Sequence, residues 1–320
     1  MSWAADFLVI GGATDVSLHR LARVARGLGV DTGWIEYSRP GRAITYQPES
    51  NALSIDGVAL APKAVFYRME YFVSGRVRTP AFHERSFASY ALIDAWASAA
   101  GNVRSFNKRS TLLTALNKPL NLHLARAIGL SIPPTQVTNA MEDCAALLMA
   151  GAGIAKPVNG GDYVLEGDEA AALAIWEKGV AAQPAIVQKR LDYPEYRIFV
   201  AGDSTCTFEV RSPDLDYRQR PTYQLRHLEE GPPDPAILPR LKALARQVGL
   251  GFSASDFKTD PDSDDICFLE INSMPMFAAY DKAANGALAR MMVRELGLLE
   301  DGKTAMQKEA GEFSPQRPVR

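Results

Sequence analysis

Residues Gly251–Phe277 read GFSASDFKTDPDSDDICFLEINSMPMF, and this stretch decides the fold. Side chains alternate along a strand with period two. Asp256 and Lys258 therefore share one face, and Glu270 and Asn272 share one face of the strand that follows. Between them DPDSD, Asp260–Asp264, reads as a tight polar turn. The hairpin gathers two carboxylates, a carboxamide and an ammonium, while Phe257, Leu269 and Ile271 on the opposite faces supply apolar packing. Two acidic groups and an amide oxygen on rigid strands suit magnesium, which takes few protein ligands and completes its shell with phosphate oxygens. That chemistry points to a nucleotide. Taken alone, the same pattern also fits an ordinary half-buried hairpin with a solvated polar face. The remainder of the chain has to choose.

At 320 residues the chain is long enough for two or three lobes around a substantial core. Lys and Arg number 35 against 37 Asp and Glu, a formal charge of −2, which gives no general attraction to nucleic acid or to an anionic membrane. Cys144, Cys206 and Cys267 are far apart, odd in number and in no metal-type spacing, as expected of reduced thiols in a cytosol. The four histidines show no mutual spacing that suggests a metal. The first strand, Phe7–Ile10, starts with no basic segment and long apolar run before it, and no stretch reaches the length of a membrane span. A cytoplasmic protein is expected.

DFLVIGG, then Asp15–Gly29, then VDTGWIEY read as strand, helix, strand, with Leu21, Val24 and Leu28 on one helical face. Such alternation implies a mostly parallel sheet. Gly11-Gly12 reads as a pair of turn glycines, because G-x-G-x-x-G is absent. AVFYRMEY, Ala64–Tyr71, reads as a further buried strand, and the segment to about residue 105 as one small α/β lobe. A second unit opens with NKPLNLHLARAIG. There Asn117 is a cap, Leu120, Leu124 and Ile128 the inward stripe, and Gly129 the stop. Further on the pattern predicts a strand at TQVT, a helix over 140–150 and a strand at GIAKPV. An alanine-rich helix capped by Asp168 is expected to run to about Ala182. AIVQKRL is then a strand, EYRIFVAGDSTCTFEVRS a hairpin turning at Ala201–Ser204, and Ile237, Leu241, Leu244 and Val248 the inner face of a helix. A last helix is predicted over Lys282–Leu296, followed by a polar tail, 300–320.

Lys156 lies inside an apolar strand, where an ammonium is costly unless it finds an anion. The Asn159-Gly160-Gly161 turn after it offers backbone N–H groups to phosphate oxygens, and Lys118 is a second candidate phosphate contact. Gln188, Lys189, Arg190 and Leu191 form a strand running out between two halves, where backbone groups could read an adenine edge. Glu195 could bind ribose hydroxyls, or pair with Arg197. Glu209 and Arg211 share a face, as polyanion chemistry or a cross-strand ion pair would both require.

The order of these parts resembles the ATP-grasp superfamily over roughly Asn107–Leu296, with a weaker match of residues 1–105 to the α/β lobe that precedes such units. NKPLNLHLARAIGLSIPPTQVTN looks like the opening of RimK-type ligases and graspetide macrocyclases, and FEVRSPDLDYR and FLEINSMPMFAAYD look closest to free-standing RimK-like proteins. The resemblance implies an α/β (α+β) ATP-grasp fold after a pre-ATP-grasp lobe, divided as 1–105, 106–185, 186–299 and the tail. It implies ATP and Mg2+, with Lys118 and Lys156 on the α- and β-phosphates and Gln188 to Leu191 on adenine. Glu195 would hold ribose, and Asp256, Glu270 and Asn272 magnesium. Arg211, with Lys258 or Arg197, would face the γ-phosphate and the acyl group. The chain departs from the pattern in its short turn after Lys156, in Ser273 where a proline is common, and in Lys189 where an acidic hinge residue is frequent.

The expected activity is an ATP-dependent carboxylate–amine ligase acting on an amino acid or peptide carboxylate. The alternatives are a phosphotransferase on the same scaffold and a nucleotide-binding regulator without chemistry. Arg218, Arg220 and Arg226, within Ser212–His227, are candidates for recognising a carboxylate, or for a solvated loop. Phe277 and Tyr280 close the pocket or pack under the last helix. The resemblance is also compatible with a homodimer.

Overall fold

A computed structural model describes residues 2–3, 5–37, 39–69, 80–108, 115–148, 153–158, 164–212 and 223–299. The expected 159–161 turn, Arg218, Arg220 and the 300–320 tail lie outside the described residues.

The N-terminal part holds two sheets. In chain order, β1 (Ser2–Trp3) is followed by β2 (Phe7–Gly11), helix α1 (Val16–Gly27) and β3 (Thr32–Glu36). A meander of β4 (Ile44–Gln47), β5 (Ala52–Ile55) and β6 (Val58–Leu60) then leads to β7 (Ala64–Tyr67) and α2 (Pro80–Ala99). Strands β3-β2-β7 form a parallel sheet, and β1-β6-β5-β4 a mixed one in which β1 and β6 are parallel and the other pairs antiparallel. Asp15 caps α1 by accepting from the Ser17 and Leu18 amides. The buried face of α1 is Leu18, Leu21, Ala22 and Ala25, with Val24 and Leu28 only half-buried beside it. Strand β2 is buried on both sides: Leu8 and Ile10 pack with Tyr67, Ile93 and Trp96, whereas Phe7 and Val9 join a core with Phe252, Phe277 and Leu288. Edge-to-face contacts of Phe66 with Phe106, Phe252 and Phe277 make that second core common to both ends of the chain.

The middle part runs α3 (Lys118–Ala127), β8 (Thr135–Ala140), α4 (Met141–Leu148), β9 (Gly153–Pro157), β10 (Leu165–Glu166), α5 (Gly167–Leu173), β11 (Trp176–Glu177) and β12 (Val180–Lys189). Its five strands form an antiparallel sheet in which β12 pairs with β8, β9 and β11. Asn117 caps α3 by accepting from the Leu120 amide. The buried stripe of α3 is Asn121, Leu122 and Ala125, so it is rotated from the one expected, and Leu120 is exposed. The helix expected to reach Ala182 stops at Leu173. Lys178 and Gly179 both take positive φ, 53° and 79°, and form the two-residue turn that closes a β11–β12 hairpin.

The last part is one antiparallel sheet, ordered β15-β14-β13-β16-β17, with three helices. In chain order these are β13 (Asp192–Ala201), β14 (Ser204–Arg211), β15 (Gln224–Leu228), α6 (Ile237–Val248), β16 (Phe252–Thr259), β17 (Ile266–Asn272), α7 (Ala278–Ala283) and α8 (Ala287–Glu295). Helix α6 buries Ile237, Leu241, Leu244 and Val248 against Tyr196, Ile198, Phe257 and Phe268. The single last helix expected over Lys282–Leu296 is two. Asn285 and Gly286, at φ 50° and 84°, break it, and buried Asp281 accepts from the Ala289 amide at the start of α8.

Candidate active site

Register places the oxygen donors together. Asp256 on β16 pairs with Glu270 on β17, and Ala254 with Asn272, so all three side chains project from one face. Directly after Asp256 the ladder slips by one residue. Leu269 is the extra residue of this bulge and is only half-buried, and Phe268 takes the expected place of Leu269 against Phe257, edge to face at 5.6 Å. Asn272 Nδ2 lies 3.4 Å from Asp256 Oδ2 and 3.2 Å from Glu270 Oε1.

The neighbouring strand β13 adds charge on the same face. Arg197 pairs with Asp256 and Glu195 with Lys258. Arg197 Nη1 donates to both Asp256 oxygens, at 2.9 and 3.1 Å, and its guanidinium lies over the Tyr280 ring at 5.4 Å. Lys258 Nζ is 3.3 Å from Glu195 Oε2. Lys118, at the start of α3, reaches Glu270 Oε2 at 3.2 Å. Three cations, three carboxylates and one amide thus converge. Glu195 is buried, and burial pushes its carboxyl up to about 7 against the opposing pull of Lys258.

In the middle sheet, Lys156 pairs with Ile186 and Ile154 with Gln188, so Lys156 and Gln188 share one face of it. Their intervening neighbours Ala155 and Val187 pack with Ala170, Ala171 and Trp176 on the helical side. Both polar residues are buried, at 7% and 0% exposure, where a polar group without a partner is costly. Gln188 Nε2 donates to Thr135 Oγ1 at 2.8 Å, while its Oε1 finds no hydrogen-bond partner among the described residues. Leu191 is buried just beyond β12.

Two expected side chains point elsewhere. Lys189 Nζ binds Asp260 and Asp262 in the β16–β17 turn, at 2.5 and 2.6 Å, so only its backbone remains for a ligand. Arg211 does not join the cluster. Glu209 is paired across the ladder with Tyr196, on the sheet face opposite Arg197, and Arg211 and Arg226 both bind Glu209 there. Arg68, Asn107 and Ser17 were not singled out from sequence, yet they contact the segment directly after Asn272. A buried arginine in an apolar strand was the available signal for Arg68, by the reasoning applied to Lys156.

Among the described residues no three His, Cys, Asp or Glu side chains group as a metal cage, and no helix is long and apolar enough to cross a membrane. The hairpin cluster is two carboxylates and an amide.

This arrangement, an α/β lobe followed by a smaller antiparallel sheet and a larger one that carries the carboxylate hairpin, is the ATP-grasp fold. No protein-family model matches the sequence, and no curated protein matches it. Among solved structures the chain is similar to the ATP-grasp ligase PsnB complexed with a phosphomimetic variant of minimal precursor, Mg and ADP. That match has a TM-score of 0.71 and 21% identity, and covers 91% of this chain and 99% of the other. It is similar to macrocyclase MdnC from Microcystis aeruginosa MRC, bound with precursor peptide MdnA, at a TM-score of 0.68 and 18% identity, covering 91% and 99%. The VanG D-Ala:D-Ser ligase from Enterococcus faecalis matches at 0.55 and 16% identity, covering 92% and 99%.

Proposed function

We propose that this protein is an ATP-dependent carboxylate–amine ligase whose carboxylate belongs to an amino acid or a peptide. The observation that carries the reading is the convergence of Asp256, Glu270 and Asn272 on one hairpin face, rimmed by Lys118, Arg197 and Lys258. Ligases that share the fold support it, among them ones bound to peptide precursors. In this reading residues 1–105 form the leading lobe, 106–185 the small nucleotide lobe and 186–299 the lobe with the metal hairpin.

The donor set fits magnesium: two carboxylates and an amide are hard-oxygen ligands, too few to complete six-coordination without phosphate and water. Asp256, Glu270 and Asn272 would hold the cation, which when bound supplies charge neutralisation between phosphate oxygens. Lys118 and Lys156 would hold phosphates. Gln188, with the backbone of Lys189 and Leu191, would meet adenine, and the unpaired Gln188 Oε1 suits a donor from a base. Glu195 would hold ribose hydroxyls. Arg197 and Lys258 would steady the γ-phosphate and the acyl oxygens, while Arg211, on the far face, takes no part. A substrate carboxylate would attack the γ-phosphate to give an acyl phosphate and ADP, and an amine would then displace phosphate. The chain's contribution is positioning and charge, with no protein nucleophile.

A screen for ADP release over amino acids and acidic peptides, with mass spectrometry for loss of water, tests the reading. Asp256→Asn and Glu270→Gln should each lower turnover about a hundredfold while leaving the circular dichroism spectrum unchanged. Unchanged turnover in either variant removes the assignment. ADP formed with a phosphorylated product and no free phosphate would make it a phosphotransferase instead.

A further inference from the structure

Resting on that reading, we propose that Asn107, Arg68 and Ser17 are positioning residues that set the geometry of the cation site from outside it. Strand β17 ends at Asn272, and residues 273–277 form neither helix nor strand before α7 begins. Their backbone polar groups need partners. The N-terminal residues supply them. Asn107 Nδ2 donates to Ser273 O at 2.8 Å, Arg68 Nη2 to Met274 O at 3.0 Å and Arg68 Nη1 to Pro275 O at 2.9 Å. Ser17 Oγ accepts from the Phe277 and Ala278 amides, at 2.9 and 3.1 Å.

Asn107 does more than hold the loop. The same carboxamide donates to Phe252 O at 2.7 Å and accepts from Phe252 N at 2.9 Å. One side chain therefore fastens the first residue of β16 to the residue that follows β17. Asp256 lies four residues from one anchor, and Asn272 is adjacent to the other. Movement at these anchors passes directly to the oxygen donors. Arg68 is 3% exposed and its charge is met by Asp15 at 3.2 Å, the same carboxylate that caps α1. The loop is thus tied to a helix start and not to a mobile side chain alone.

Magnesium requires near-ideal octahedral geometry, whereas calcium accepts six to eight oxygens loosely arranged. A loosened hairpin should therefore lose magnesium selectively. Asn107 has φ 52°, so Asn107→Gly removes the carboxamide while keeping the backbone conformation accessible. Calorimetric titration with ADP, in Mg2+ or in Ca2+, would be run well below each variant's melting temperature. Asn107→Gly should weaken Mg·ADP binding about tenfold, as loss of an outer-shell partner does, and leave Ca·ADP nearly unchanged. Ser17→Ala, a milder change that keeps every donor of Asn107 and Arg68, should raise the Mg·ADP Kd about threefold and spare Ca·ADP in the same way. Asp256→Asn, the control at the site, should weaken both. Wild-type Mg·ADP affinity in both variants, or equal loss with the two metals, overturns the inference. If the wild-type chain binds ADP with no dependence on metal, the ligase reading itself fails and the clamp with it.

Discussion

Glu195 shows how a single side chain couples the site to pH. Its carboxyl ordinarily titrates at 4.5 and here is pushed up to about 7, first by burial and in part by Asp256, with Lys258 opposing. Between those values the folded chain keeps a proton that the unfolded chain has released. The stabilisation is fully present below pH 4.5 and is lost as pH rises through about 7, by about 3 kcal/mol in all. Glu195→Gln cannot titrate. In urea denaturation at several pH values, wild-type stability should fall relative to that variant across this window, and parallel curves would contradict the burial cost. Sequence alone made Glu195 visible as a candidate but not its partner. Arg197 was its expected neighbour in charge, yet β13 pairs Arg197 with Asp256 and Glu195 with Lys258. Such pairing depends on register between strands about sixty residues apart, which no local pattern carries.

At the scale of elements, helices and strands with a clear period were legible. Helix α6 shows all four expected inward residues buried, and Asn117 caps α3 as its position before Lys118-Pro119 predicts. Asn117→Ala should cost about 1 kcal/mol, read as a lower urea midpoint at unchanged slope. Because Lys118 is the first residue of that helix, the same variant should also weaken nucleotide binding. The misread elements share a cause. Alanine-rich 168–182 has high helix propensity, but left-handed Lys178-Gly179 and the pairing of Trp176 with Ala181 make it a hairpin. The last helix likewise yields to Asn285-Gly286. Propensity is a local term of a few tenths of a kcal/mol per residue, and turn geometry with tertiary pairing outweighs it. The β4–β6 meander was not read at all: β4 and β5 alternate in burial, but each strand is only three or four residues long, too short for a period to stand out in the sequence.

For the molecule as a whole, the first lobe is not an appendage. Phe66, Phe106, Phe252 and Phe277 bury one shared core, and Arg20 of α1 reaches buried Asp281 at 2.5 Å. The first lobe and the large sheet therefore share one core, while the middle sheet meets the large one through apolar packing, with Ile186 in one core with Phe257 and Phe268, and through polar links. Lys189 is the clearest of these. It terminates the middle strand of the small sheet and grips the tip of the β16–β17 hairpin through Asp260 and Asp262, the latter largely open to water. Electrolyte shields such exposed charges within about 8 Å at physiological strength. The small and large sheets, which the proposed nucleotide would bridge, are thus latched partly by brine-sensitive charge. Stopped-flow release of a fluorescent ADP analogue should quicken as sodium chloride is raised, and Lys189→Met should release it fast at every concentration.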